Sequence, residues 1–172
     1  MLILQTARLR LRWFTPADAG FVLDLLNQPS WIANIGDRSV STLAEAEVWI
    51  NERLIANYHA LGFGFWAVER LADGQLVGMC GLIKRDSLPA VDIGYAFPPP
   101  YWGQGYAREA ASACLHHAHE VLGLTRVLAI TGPDNGPSAR LLEAIGLRHV
   151  ETRVLDGETR LTRVFEWVAA GR

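Results

Sequence analysis

The residues whose types and spacing best suit chemistry are Gly103, Gly105 and Ala107, in the run Trp102-Gly103-Gln104-Gly105-Tyr106-Ala107-Arg108. Small residues let a backbone approach a ligand closely. The helix that this pattern opens near Gly105 leaves its first amides without internal partners. Those amides, with the positive end of the helix dipole, suit a phosphate, and Arg108 adds a charge. The run alone is equally compatible with a glycine-rich turn that only lets the helix pack. Two other phosphate patterns fit poorly. Arg108 stands where the dinucleotide fingerprint needs its third glycine, and Pro98, Pro99 and Pro100 separate strand from turn. No Gly-Lys-Ser/Thr ending is present for a nucleoside-triphosphate loop.

The elements around the turn narrow the ligand. Proline cannot donate to a strand ladder and biases its predecessor away from helix, so a strand over 90–97 must stop abruptly. A neighbouring strand can then diverge and leave a cleft of free backbone groups, where an extended ligand arm bonds like a short strand. A long ligand with a pyrophosphate and an amide-bearing arm, the shape of coenzyme A, suits both features. Upstream, residues 8–14 alternate, with Leu9, Leu11 and Trp13 on one side and Arg8, Arg10 and Arg12 on the other, as the solvated side of an edge strand. Thr15 and Pro16 open a helix to about Asn27 that stops before Pro29. Thr42 and Glu45 form a capping box for a helix carrying Val48, Trp49, Leu54 and Ile55, which ends before Gly62. Asp73-Gly74 joins residues 63–70 and 76–84 as a hairpin. A helix over 105–122 gathers Ala107, Ala110, Ala111, Cys114, Ala118 and Val121 on one small-residue face. A buried strand over 125–131, a short helix from Asn135 to Gly146 and two strands about Asp156-Gly157 complete the order β-α-α-β-β-β-α-β-α-β-β. That order predicts a single α/β domain over 1–172 with a mixed sheet.

Composition sets the outer bounds. The chain has 172 residues, half of them hydrophobic and a fifth charged, with a net charge of −2. That predicts no nucleic-acid or membrane partner. No apolar run approaches the roughly 18 residues of a membrane span, and the first residues lack the pattern of a signal peptide. Cys80 and Cys114 read as buried small residues in a reducing cytoplasm.

Several ordered segments together resemble the GNAT acetyltransferase superfamily, in its ribosomal-protein N-terminal acetyltransferase-like branch. They are the segments 6–12 with Asp18, 64–68, 76–82, 92–95, 101–110 and 135–147. The resemblance implies a mixed central sheet splayed at the cofactor strand and about four flanking helices. It implies acetyl-CoA as cosubstrate, its pyrophosphate on Trp102, Gly103, Gln104, Gly105, Tyr106, Ala107 and Arg108. Tyr95 and Phe97 would offer main-chain groups to its arm, and Asn135 and Ser138 would lie at its thiol end. Two departures stand out. Trp102 occupies the place where the phosphate motif usually begins with Gln or Arg. Leu142 occupies the place of a tyrosine that protonates the leaving thiolate in many members, and leucine has no proton to give.

Amine acetylation needs a neutral amine, an oxyanion donor and a proton for the thiolate. Ser138, matching the branch's Asn-x-x-Ser, is the candidate thiolate contact, with a helix-cap hydroxyl as the plain alternative; Asn135 reads mainly as the cap. Asp92, where relatives often carry an acid, is the candidate base acting through water, with a solvated strand-end carboxylate as the alternative. Glu109 suits the helix dipole. His116, His117 and His119 read as a solvated face rather than a metal site. Trp31, Asn34, Ile35 and Arg38, between the first two helices, are the candidate acceptor lining, with Trp31 also readable as core. The expected function is direct acetyl transfer to a primary amine, of a protein N-terminus or a small molecule, by a cytoplasmic monomer or homodimer without metal. The alternative is a non-catalytic acyl-CoA sensor, and a nicotinamide-dependent oxidoreductase rests on the glycine turn alone.

Overall fold

The alternation of Leu9, Arg10, Leu11 and Arg12 becomes strand β2 (Leu9–Arg12), with both leucines fully buried. The computed structural model describes residues 1–171 and divides them into two compact units. One comprises 1–81 with 95–110; the other comprises 82–94 with the chain from 111 onward. Arg172, the last residue of the expected domain, lies outside the described residues.

In the first unit β2 is not an edge. Strand β1 (Leu2–Gln5) flanks it on one side and β3 (Phe65–Arg70) on the other, both antiparallel. No alternation announces β1; its pairing with β2 makes it a strand. The hairpin partner β4 (Leu76–Ile83) continues antiparallel from β3. The arginine row is likewise engaged rather than merely solvated. Arg10 stands opposite Glu69, and both Arg10 and Arg12 donate to its carboxylate at 2.9 Å. Burial pushes the Glu69 carboxyl up, but the two guanidiniums outweigh it and hold Glu69 below its ordinary range. Arg12 also makes a two-pronged pair with Asp18 at 2.9 Å. Asp18 accepts the Thr15 amide at 2.8 Å, which ties β2 to the start of α1 (Ala19–Leu26).

Pro29 both halts α1 and opens α2 (Pro29–Asn34), a short helix the sequence reading treats as loop. Proline's fixed φ and missing N–H cost nothing at a first helical position. Helices α3 (Leu43–Trp49) and α4 (Ala56–Leu61) are joined without a break by a wider π-helical turn, Ile50–Ile55. Thr42 caps the stretch by accepting the Glu45 amide at 3.1 Å, while the Glu45 carboxylate reaches back to the Ser41 amide. Ala46, Ile50, Leu54 and Tyr58 recur every four residues and are buried, whereas Val48 is exposed. Each large apolar side chain on that stripe contributes about 1.5–3 kcal/mol of burial. Tyr58 anchors the end of the stripe, its hydroxyl accepting the Phe14 amide and donating to the Phe65 carbonyl.

In the second unit Asp92, first residue of β5 (Asp92–Ala96), pairs in parallel with Leu128 of β6 (Arg126–Thr131). Strand β8 (Leu161–Val168) runs antiparallel to β6, and β7 (Arg148–Val154) antiparallel to β8. Leu88, Leu128, Leu155 and Val164 form a small core here. Helix α5 (Tyr106–Glu120) has its residues 106–110 in the first unit and the rest in this one, and Ala110, Ala111, Cys114 and Ala118 are completely buried. Val121, expected on the same face, is 67 % exposed. The helix has stopped by then: the Val121 and Leu122 amides both return to the His117 carbonyl, and Gly123 takes a left-handed φ of 71°. His116 is exposed, and His119 bonds the Leu124 carbonyl at 3.0 Å. Among the described residues no three His, Cys, Asp or Glu side chains group to hold a metal, and no helix is long and apolar enough to cross a membrane. The last helix, α6 (Gly136–Ala144), follows β6.

Candidate active site

The glycine turn lies wholly in the first unit. A 3-10 turn, Pro99–Tyr101, ends the approach from β5, and α5 begins at Tyr106. Between them Gly103 and Gly105 take φ values of 74° and 81°, a region that side-chain-bearing residues enter at a cost. A Cβ added to Gly103 would meet nothing within 4 Å; the glycine is demanded by conformation, not by crowding. The first i→i−4 bond of α5 runs from the Glu109 amide to the Gly105 carbonyl at 3.1 Å. The amides of Tyr106, Ala107 and Arg108 precede it and have no intrahelical acceptor. Gly103, Gln104, Gly105 and Arg108 are exposed and Ala107 half-buried. An open cradle of amides at a helix start is the environment a pyrophosphate needs, so these residues fit the phosphate end of acetyl-CoA.

The turn is held from below. Arg8 Nη1 donates to the Gln104 carbonyl at 2.9 Å, its Nε to Glu109 at 3.0 Å, and its guanidinium lies over the Tyr106 ring at 4.6 Å. Thr6 Oγ1 donates to the other Glu109 oxygen at 2.7 Å. Burial pushes the Glu109 carboxyl up, but the Thr6 and Arg8 bonds outweigh it and hold it below its ordinary range. Neither Arg8 nor Thr6 stands out as a site residue in the sequence. An acid in the first turn of α5 and a basic strand start are visible in the sequence, but the pairing of residues about a hundred apart is a tertiary fact. Trp102, 56 % exposed, sends its indole N–H to the Phe97 carbonyl at 2.6 Å. It therefore ties the turn to the end of the proline-cut strand. The Phe97 ring covers Gly78, where an added Cβ would lie 2.4 Å from it. Tyr95 is half-buried in β5.

Asn135, Ser138 and Asp92 belong to the second unit. Asn135 is the N-cap of α6, its Oδ1 accepting the Ser138 amide at 3.2 Å. That bond uses the Ser138 backbone, not its hydroxyl, and Ser138 is half-buried. Leu142 is 1 % exposed. Thr131 Oγ1, at the end of β6, is buried without a hydrogen-bond partner among the described residues. Asp92 differs from the solvated strand-end carboxylate expected of it. It is 1 % exposed, and its two oxygens accept from Arg85 Nε and Nη2 at 2.9 and 3.0 Å. Burial raises its carboxyl above the ordinary range, with Arg85 opposing.

In the first unit Trp31 is 5 % exposed, and its indole N–H has no acceptor among the described residues. Asn34, Ile35 and Arg38 are exposed beside it in sequence. Ser39 takes an unusual φ of 56°, and its amide is bonded to Asp37 at 2.8 Å.

Comparison with known proteins meets this geometry. The acetyltransferase (GNAT) domain family matches residues 8–148, which include the turn, β5 and α6. The protein YkkB of Bacillus subtilis (strain 168) is 30 % identical over 155 residues, covering 87 % of each chain. The crystal structure of an acetyltransferase from Agrobacterium tumefaciens str. C58 is 28 % identical with a TM-score of 0.78, over 95 % of this chain and 92 % of that one. The ribosomal L7/L12 α-N-protein acetyltransferase RimL, solved in complex with coenzyme A, shares the fold at 15 % identity. Its TM-score is 0.83, and 98 % of each chain is covered. With an α/β fold of eight strands, a helix-start amide cradle and a family match across most of its length, this chain belongs to the GNAT acetyltransferase family and is an acyltransferase.

Proposed function

We propose that the chain transfers the acetyl group of acetyl-CoA to a primary amine by direct attack, as a single N-acetyltransferase domain. The observation that carries this reading is the helix-start turn from Gly103 to Arg108, whose glycines, Gln104 and Arg108 are exposed, inside the segment that matches the family. Bound there, acetyl-CoA supplies an acetyl group activated as a thioester. The backbone of Gly103, Gln104, Gly105, Tyr106, Ala107 and Arg108 holds the pyrophosphate, with Trp102 bracing the turn. Tyr95 and Phe97 offer main-chain groups to the arm, the Phe97 carbonyl being shared with the Trp102 indole.

Ser138, by its match to the branch's Asn-x-x-Ser, offers its hydroxyl at the thiol end, where Leu142 has no proton to give. Asp92, closed off by Arg85, orders the chain before β5, and the amine proton passes to water. Trp31, Asn34, Ile35 and Arg38 face the acceptor. We place the enzyme in the cytoplasm as a monomer or homodimer needing no metal.

Relatives of the fold include the L7/L12 N-terminal enzyme and a spermidine N-acetyltransferase chimera from Vibrio cholerae, so peptide N-termini and polyamines head the acceptor panel. Mass spectrometry of that panel with acetyl-CoA should show a 1:1 acetylated amine and free CoA. Absence of acetyl-CoA binding by calorimetry would defeat the reading. Binding with no turnover on any amine would favour a sensor domain instead.

A further inference from the structure

We infer that Arg8 is a positioning residue that sets the direction of the phosphate-binding amides; this rests on the acetyl-CoA reading of the same turn. The Gln104 carbonyl and the Gly105 N–H belong to one planar trans peptide, so they point to opposite sides of it. Glycine at 105 lets that peptide rotate, because glycine accepts either sign of φ at little cost. Whichever way the carbonyl turns, the N–H turns the other. Arg8 Nη1 holds the Gln104 carbonyl at 2.9 Å, which aims the Gly105 N–H away from β2.

The hold has several partners. Arg8 Nε donates to Glu109 Oε1 at 3.0 Å, and Glu109 Oε2 accepts from Thr6 Oγ1 at 2.7 Å. Arg8 Cζ lies over the Tyr106 ring, 4.6 Å from its centroid, and Arg8 Nη2 sits close enough to Gly105 that a Cβ there would lie 3.3 Å from it. The planar fork makes these contacts together, which a lysine ammonium cannot. Glu109 also closes the first turn of α5 through its own amide, bonded to the Gly105 carbonyl at 3.1 Å. The salt-bridged cluster Thr6–Glu109–Arg8 thus grips the turn at the Gln104 carbonyl, beside the Gly105 carbonyl that the Glu109 amide holds. Arg8 does not act on the acetyl group. It removes conformations of the turn that would present a carbonyl to a phosphate.

The test compares acetyl-CoA with S-acetylpantetheine, a donor that has the thioester and no pyrophosphate. Arg8→Ala should raise KM for acetyl-CoA about tenfold, the scale of one hydrogen bond to a charged group. It should leave kcat unchanged, and kcat/KM for S-acetylpantetheine should not move. Arg8→Lys, able to reach one acceptor at a time, should recover part of the loss, and Glu109→Gln should shift KM in the same direction by less. Should Arg8→Ala fold poorly, the Lys and Gln variants carry the same comparison. An unmoved KM, or an equal loss with both donors, would overturn the inference while wild-type acetyl-CoA binding stands. No wild-type binding by calorimetry would overturn the cofactor reading and this inference with it.

Discussion

Replacing Arg85 by methionine isolates what a buried carboxylate demands of its surroundings. Asp92 is 1 % exposed, and Arg85 is the partner of both its oxygens, while the Arg85 side chain is itself 32 % exposed. Arg85→Met keeps the apolar stem and removes the guanidinium, leaving a carboxylate in the interior. Breaking a buried pair on one side costs about 3–5 kcal/mol. The partial exposure of Arg85 screens the pair and favours the low end, about 3 kcal/mol at neutral pH. For a chain of this length that corresponds to a melting temperature lower by roughly 6–12 °C.

The pH dependence gives the prediction its sign. Asp92 in the fold is shifted above its ordinary 3.8 by burial, so the folded chain binds this proton more tightly than the unfolded one. Its contribution to stability is fully present below 3.8 and is lost as pH rises through the folded value. Without Arg85 to oppose burial, that value moves further up, and the loss extends to higher pH. Urea unfolding from pH 5 to pH 8 should therefore show the gap between wild type and Arg85→Met widening with pH. Adding Asp92→Asn removes the charge and should close much of the gap at pH 8. Parallel curves at all pH values, or no rescue by Asp92→Asn, would refute the reasoning.

Other substitutions report on separate parts of the fold. Ser138→Ala should lower kcat by about a hundredfold, the low end for a lost proton donor, with KM for acetyl-CoA unmoved and the α6 cap retained, because the Asn135 side chain accepts the Ser138 amide. Steady-state kinetics checks the kcat and KM. Gly81→Ala and Gly78→Ala add the same methyl to β4 with different outcomes. At Gly81 the Cβ would lie 2.0 Å from the Gly64 carbonyl, a backbone atom, and at Gly78 it would lie 2.4 Å from the Phe97 ring. Denaturant titration should find Gly81→Ala the more damaging, at or above the ~1–3 kcal/mol typical of overpacking, while Gly78→Ala should instead disturb acetyl-CoA binding through Phe97. Leu142→Tyr should not raise kcat, since the position is 1 % exposed, and a scanning melt should show it costing about 1–3 kcal/mol by overpacking.

Much of the frame was readable because short-range signals dictate it. Asp73-Gly74 marks a hairpin, Thr42 caps a helix, and Asn135 caps another, each through bonds to residues within a few positions. Strand β1 escaped because four residues without alternation become a strand only when β2 offers its edge. Helix α2 escaped because Pro29 is a stop signal and a start signal in the same place. Val121 leaves the expected helical face because α5 ends at Glu120, where the chain turns back to the His117 carbonyl.

The turn from Trp102 to Arg108 shows the division between the two levels. The residues alone determined that a glycine-bearing helix start with open amides is present, since φ preference and missing i→i−4 partners are local properties of the chain. What braces that turn was decided only by the tertiary structure. Arg8 and Glu109 are a hundred and one positions apart, and no local rule sets which cation meets which carboxylate. The same holds for Asp92, whose type suggested a base in water. Burial beside Arg85 removes the solvated strand-end alternative, because the exposure and partners of a carboxylate are set by the packed fold and not by its identity.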